Sequence, residues 1–242
     1  MRDDGYGRTS RFYDVPGGSR HVSVTTVLDG AVNKPALLPW AVKLERETII
    51  EAAADLWEDL PLVAPKMPRA TYVSTLTRRV GMAKAHTKAL KKAADIGTAA
   101  HKRIEWGLRK ELLQEAGPEP QIRDASLWAF MAYEDWRKAA NLAPILIEQT
   151  VWSDRYGYAG TMDWYGEIDG PDGRLRVLGD WKTGKAIYPE ALLQNAAYVH
   201  ALVEMGHADP PVAGCIVRLP KVETDPAFEV KIIQADAQKG LF

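Results

Sequence analysis

The sequence predicts an α/β fold, a central mixed sheet flanked by helices behind an N-terminal helical layer, and three observations predict it. Up to about residue 120, apolar residues recur at helical spacing between capping and proline signals. From about residue 144, short alternating segments are separated by turn residues, and one helical stretch interrupts them at about 189–205. Helices followed by strands with a helical crossover form layers of helix on sheet.

In chain order, Ser23 stands as an N-cap before Val24, Thr25 and Thr26, with Val27, Leu28 and Asp29 continuing a helix. Residues 39–60 read as a helix stopped near Pro61, and 61–68 as a proline-rich connection. A helix over 71–94 is expected to break at Gly97, with a shorter helix running on to Leu113. Gly117-Pro118-Glu119-Pro120 is a loop, and 122–140, with Trp128 and Trp136, is another helix. Strands are expected at 144–153, 160–168, 175–182, 212–219 and 228–233. Asp154-Arg155-Tyr156-Gly157 and the run Asp169-Gly170-Pro171-Asp172-Gly173 signal hairpins. There is no internal repeat or low-complexity segment. The expectation is one domain over 1–237, mostly helical over 1–120 and α/β over 121–237, with 238–242 as a tail.

Composition narrows the class. The chain has 242 residues, 46% of them hydrophobic, enough to bury a full core. No run of eighteen or more apolar residues occurs, and Met1-Arg2-Asp3-Asp4-Gly5 lacks the apolar stretch of a signal peptide, so a cytoplasmic protein without a membrane span is expected. The single cysteine, Cys215, cannot form an intramolecular disulfide and fits a reducing compartment; its apolar neighbours read as a buried strand. With 31 Lys+Arg against 32 Asp+Glu, the net charge of -1 gives no global attraction to a polyanion.

One constellation carries chemistry. Asp163 ends Gly160-Thr161-Met162-Asp163, and Asp180-Trp181-Lys182 follows one hairpin later. The period of two along a strand places Asp180 and Lys182 on one face and Trp181 on the other. Two carboxylates suit a hard divalent cation, and a lysine beside them suits an attacked phosphate, where it orients or deprotonates water or offsets developing charge. Alone, D-x-K also fits an ordinary charged surface strand. Upstream, His101 and Glu105 follow Gly97-Thr98, one helical turn apart; downstream, Gln194 and Tyr198 repeat that spacing. Taken singly, His101 reads equally as a helix-face histidine satisfied by Glu105, Tyr198 as cover for the sheet, and Glu148 as a solvent-facing strand residue. A G-x-x-x-x-G-K-[ST] loop, H-E-x-x-H, C-x-x-C and G-x-S-x-G are all missing, which disfavours a phosphate-loop motor, zinc sites and an α/β-hydrolase. Lys182-Thr183-Gly184-Lys185 lacks the glycine spacing of a phosphate loop.

In order, G-T-x-x-H-x-x-x-E, Glu148, G-T-x-D, D-x-K and Q-x-x-x-Y resemble the RecB-like branch of the PD-(D/E)XK nucleases over roughly residues 96–203. The resemblance implies a restriction-endonuclease-like core and a DNA hydrolase using Mg²⁺ or Mn²⁺. His101, Asp163, Asp180 and the backbone carbonyl of Trp181 would hold the metal, and Lys182 would be the catalytic lysine. Gln194 and Tyr198 would line the site, with Glu148 and Glu105 as supporting acids. Iron-sulfur relatives, including the CRISPR-adaptation nucleases, hold a cluster with four cysteines; this chain has one, so the likeness is to the catalytic core and not to the cluster. A compact phage-type exonuclease of replication, recombination or repair is the expectation, acting in the host cytoplasm if phage-encoded. A structure-specific endonuclease would use the same residues. A clamp-tethered DNA-binding accessory protein without turnover is the alternative from another class.

Two further features bear on partners. Between Arg69 and Lys92 there is no acidic residue, and Lys84, Lys88, Lys91 and Lys92 share a helical face that suits either a phosphate backbone or solvent. Lys185 follows the D-x-K strand as a further DNA-binding candidate. The last residues, Gln238-Lys239-Gly240-Leu241-Phe242, resemble the Q-x-x-L-F peptide that binds bacterial sliding clamps, with Gln238, Leu241 and Phe242 as anchors; a terminal Leu-Phe can equally pack on its own domain. Removing Leu241 and Phe242 is expected to abolish retention on an immobilised bacterial clamp. An intact chain that does not bind the clamp would exclude this role.

Overall fold

The computed structural model describes residues 2–3, 9–32, 34–35, 37–63, 67–81, 85–122, 125–207, 210–211, 213–225 and 227–234. Lys84 and the tail residues Gln238, Leu241 and Phe242 lie outside the described residues. The chain forms two compact units, Asn33–Asp95 and the combination of Met1–Val32 with Ile96–Phe242.

The first unit is helical. Helix α2 (Leu37–Val63) packs against α3 (Arg69–Val80), with Ala52 and Leu56 buried. The start of α4 (Ala85–Glu111) is held by His86, whose Nδ1 lies 3.0 Å from Oε1 of Glu45. The expected break at Gly97 is corrected here. The break falls instead at Gly81, which caps α3 at φ 73°, donates to the Thr77 carbonyl and precedes α4. A positive φ makes glycine the ready residue there, whereas glycine inside a helix costs only about 1 kcal/mol and is tolerated.

The second unit holds the sheet. Two short strands, β1 (Arg2–Asp3) and β2 (Thr9–Ser10), pair with each other. A seven-stranded open mixed sheet contains β3 (Phe12–Asp14), β4 (Arg20–Ser23), β5 (Ala143–Ser153), β6 (Tyr158–Gly170), β7 (Gly173–Thr183), β8 (Ala213–Leu219) and β9 (Glu229–Gln234). Its order is β3-β4-β6-β7-β8-β9, with β5 also paired to β6. The β5–β6, β6–β7 and β8–β9 pairs are antiparallel, as hairpins require, while β7 and β8 run parallel, joined through α6 (Pro189–Glu204). The fold is therefore α/β with a mixed sheet flanked by helices. Sequence patterning does not yield β3 and β4, because runs of three and four residues are too short to show alternation. Pro16-Gly17-Gly18, with Gly17 and Gly18 at φ 97° and 84°, is the turn signal that marks that hairpin.

Helices cover both faces. Helix α1 (Val24–Ala31) starts at the expected cap, where Ser23 Oγ accepts from Thr26 N–H at 3.1 Å. With α6 it covers Val151, Met162, Tyr165 and Leu178. Helices α4 and α5 (Ala125–Ala140) cover the opposite face, where Trp136, Trp164 and Trp181 pack with centroids 5.0–5.6 Å apart. Such tilted and offset aromatic pairs add specificity to apolar burial. No helix among the described residues is long and apolar enough to cross a membrane.

Gly179 makes this packing possible. A Cβ there would stand 1.7 Å from Trp164 Cε2. Gly179→Ala is expected to lower stability by about 3 kcal/mol, read from the urea midpoint, because the buried indole has no room to yield. An unchanged midpoint would refute this account of the Trp164 seat.

Candidate functional site

The site lies where β6 changes partner. On one edge, β6 pairs in parallel with β4 at Tyr158 and Ala159, then antiparallel with β7 from Trp164 to Gly170. Because β5 runs along the other edge, β4 and β7 share the first one. Gly160-Thr161-Met162-Asp163 therefore occupies a gap between two neighbouring strands. Beyond Gly179 the ladder does not continue: the Trp181 N–H donates instead to Asp163 Oδ2 at 2.7 Å. The pleat also changes here, since Trp164 packs toward α5 while Met162, two residues earlier, packs toward α6.

Strand β7 alternates as expected. Trp181 joins the aromatic core, and Asp180 and Lys182 turn to the face carrying α6. Helix α6 is fixed by buried Asn195, whose Nδ2 donates to the Leu178 carbonyl at 3.1 Å. That anchor sets Gln194 and Tyr198 against the strand. Lys182 Nζ donates to Gln194 Oε1 and Gln194 Nε2 donates to the Tyr198 hydroxyl, each at 2.9 Å. Lys182 Nζ also lies 2.6 Å from Asp180 Oδ2. The contact is a close ion pair in which the ammonium meets a fully buried carboxylate oxygen.

Helix α4 supplies the rest. His101 Nδ1 lies 3.7 Å from Asp163 Oδ2, and Glu105 accepts from Arg109 Nε at 2.7 Å. Glu148, on β5, sits between the Ile147↔Trp164 and Gln149↔Met162 pairs, opposite Asp163, with φ 47°. That conformation is uncommon for a non-glycine residue and marks a local irregularity of the strand.

Glycines set the close approaches. A Cβ on Gly97 would stand 2.6 Å from Thr183 Oγ1, so α4 crosses directly over the end of the D-x-K strand. A Cβ on Gly160 would stand 2.4 Å from Tyr198 Cε1, so the first residue of G-T-x-D yields its space to the last motif's ring.

The electrostatics follow from burial. Loss of hydration raises the Asp180 carboxyl; Lys182 opposes this, while the nearby Asp163 charge adds to it. Burial acts to lower Lys182, but the carboxylates of Asp180 and Asp163 outweigh it and hold the ammonium above its usual value. Lys182 is therefore a cation at neutral pH. Burial raises the Tyr198 phenol, keeping it protonated. Burial, with the Asp163 and Glu105 charges adding, pushes Glu148 up to about 7.

The structure thus brings together His101, Glu105, Glu148, Asp163, Asp180, Lys182, Gln194 and Tyr198. Lys185 is exposed on the loop after β7, while Lys88, Lys91 and Lys92 are exposed on α4 in the 33–95 unit, with Lys91 3.1 Å from Asp95. Two participants escape the sequence reading: Arg109, legible as an i+4 partner of Glu105, and Tyr13, whose hydroxyl lies 3.3 Å from Thr161 Oγ1. Among the described residues no three His, Cys, Asp or Glu side chains are already gathered around one point. The carboxylates of Asp163 and Asp180 are nevertheless hard oxygen donors of the kind that suit Mg²⁺ or Mn²⁺, with the His101 imidazole as a neighbouring nitrogen donor. Neither a protein-family model nor a curated protein matches the chain.

Glu148 generates a test. Its folded-state pKa lies above the unfolded value, so its favourable contribution is complete below about 4.5 and is lost as pH rises through 7. In metal-free protein, Glu148→Gln is expected to gain stability on wild type across that window. The gain should reach about 2 kcal/mol by pH 8, after discounting for partial exposure. Urea titrations with parallel pH profiles would show that Glu148 is ordinarily solvated.

Proposed function

We propose that the protein is a metal-dependent deoxyribonuclease that hydrolyses phosphodiester bonds at DNA ends. The observation that carries this reading is the Asp163–Asp180–Lys182 group, set in a break of the sheet and braced by Gln194 and Tyr198. The order of its motifs resembles RecB-like PD-(D/E)XK nucleases, and the α/β sheet is compatible with a restriction-endonuclease-like core. His101, Asp163 and Asp180 would hold Mg²⁺ or Mn²⁺, with the Trp181 carbonyl as the backbone ligand that the resemblance adds. Bound there, the ion would act as a Lewis acid on the phosphate and lower the pKa of water.

The chain's own groups have separable roles. Lys182, held cationic by its carboxylates, offsets the charge that grows on the phosphate in the transition state rather than taking a proton. Gln194 accepts from it, and Tyr198 fixes the Gln194 amide, so the ammonium is aimed before substrate arrives. Glu105, and Glu148 once ionised, would enlarge the negative field that attracts the cation. The end-acting, phage-type role and a clamp-bound tail belong to the same proposal.

Lys182→Ala is expected to reduce metal-dependent release of nucleotides from end-labelled linear DNA by about 100-fold or more, with DNA binding largely retained. Asp180→Ala should lose metal binding as well. Covalently closed circles should survive. Cutting of the circle would make the enzyme an endonuclease, and absence of cleavage with Mg²⁺ or Mn²⁺ would refute the enzyme reading.

A further inference from the structure

Helix α4 brings more than His101 to the site. His101, Glu105 and Arg109 recur at i, i+4 and i+8, so they share one stripe of the helix over about 12 Å. Ile104 and Leu108 beside that stripe are buried in the aromatic core and fix the helix on the sheet. At one end of the stripe His101 Nδ1 lies 3.7 Å from Asp163 Oδ2. At the other, Arg109 Nε lies 2.7 Å from Glu105 Oε1. Glu148 stands across from Asp163 on β5, near enough to Glu105 and Arg109 for both charges to act on its carboxyl.

The four acids therefore fall into two groups with different charge balance. Asp163 and Asp180 share the one ammonium of Lys182, which leaves an excess of negative charge for a divalent cation beside the His101 imidazole. Glu105 is matched one to one by Arg109. A guanidinium keeps its charge at every working pH and cannot yield its place by losing a proton, as a lysine can. A second divalent ion held between Glu105 and Glu148 would meet that fixed charge at close range and be repelled by it.

We propose that Arg109 takes the place of a second metal ion, so that the site loads a single divalent cation, at His101, Asp163 and Asp180. This inference rests on the metal-dependent reading of the site and sets its ion count. Lys182 is then the cation that remains to offset charge growing on a bound phosphate, the part a second ion would otherwise fill.

The test is titration of the whole chain with Mn²⁺ in low salt without DNA, reading free Mn²⁺ from its paramagnetic resonance signal. Wild type is expected to saturate with one ion. Arg109→Met should take up a second, weaker ion and bind the first about 3-fold more tightly, whereas loss of a merely structural contact would weaken binding. Arg109→Lys should keep one ion, and adding Glu105→Gln to Arg109→Met should remove the second ion again. Thermal melts establish that each variant is folded, with Arg109→Gln as the second neutral variant. Two ions in wild type, or one ion at unchanged affinity in a folded neutral variant, would overturn the proposal. A wild type that binds no Mn²⁺ would remove the metal-dependent reading and this inference with it. Single-ion loading that depends on Arg109, in a protein that never cleaves DNA, would support the inference while removing the nuclease reading.

Discussion

The hydrogen bond from the Trp181 N–H to Asp163 is the contact on which the candidate site depends. A strand can pair with only one neighbour along each stretch of edge, and β6 gives one edge first to β4 and then to β7. At the change, the Trp181 N–H loses its ladder partner. Left buried and unpaired, it would cost about 1–3 kcal/mol. The Asp163 carboxylate replaces the missing backbone acceptor, and so an acidic side chain stands inside the sheet next to Asp180 and Lys182. The structural requirement of the fork and the chemical requirement of the site are met by the same group.

The motif glycines follow from the same crowding. Gly97, Gly160 and Gly179 each occupy a place where another side chain, Thr183, Tyr198 or Trp164, fills the space of a Cβ. They couple α4 to the end of β7, the G-T-x-D segment to α6, and the D-x-K strand to the aromatic core. Packing on the two faces of the sheet therefore reaches the site through backbone contact rather than through flexible side chains. Such a support holds reactive groups in place with little loss of order when substrate binds.

Much of this was legible in the sequence, and the rest failed for identifiable reasons. The period of two placed Trp181 opposite Asp180 and Lys182, and the structure has Trp181 in the aromatic core. The i, i+4 spacing placed Gln194 and Tyr198 on one turn, where they are hydrogen-bonded to each other. The Ser23 cap and both long hairpins stand close to where turn chemistry set them. Gly97 misled because a glycine required by tertiary contact looks the same as one that ends a helix. Glu148 was ambiguous because its importance comes from lying opposite Asp163, a cross-strand relation fixed by register and not by local pattern. Tyr13 was invisible for the same reason, since nothing near it in sequence announces Thr161.

The charge arrangement gives a last reason to read these residues as a site. Asp180 and Glu148 each lie near the Asp163 charge in desolvated surroundings, and that proximity works against the ionisation of both. Lys182 opposes this at Asp180 and Arg109 at Glu148, but burial still leaves both harder to ionise than free carboxylates. A core assembled for stability alone would be better served by apolar residues of similar size, because a buried ion pair seldom repays its desolvation. The cluster also sits on a strand fork and includes Glu148 at positive φ, so backbone irregularity and electrostatic cost coincide. Such costs collect where ligand binding or chemistry compensates for them. A divalent cation, as proposed for this site, would reverse the sign of the local field and convert the repulsion among the acids into attraction toward a common centre.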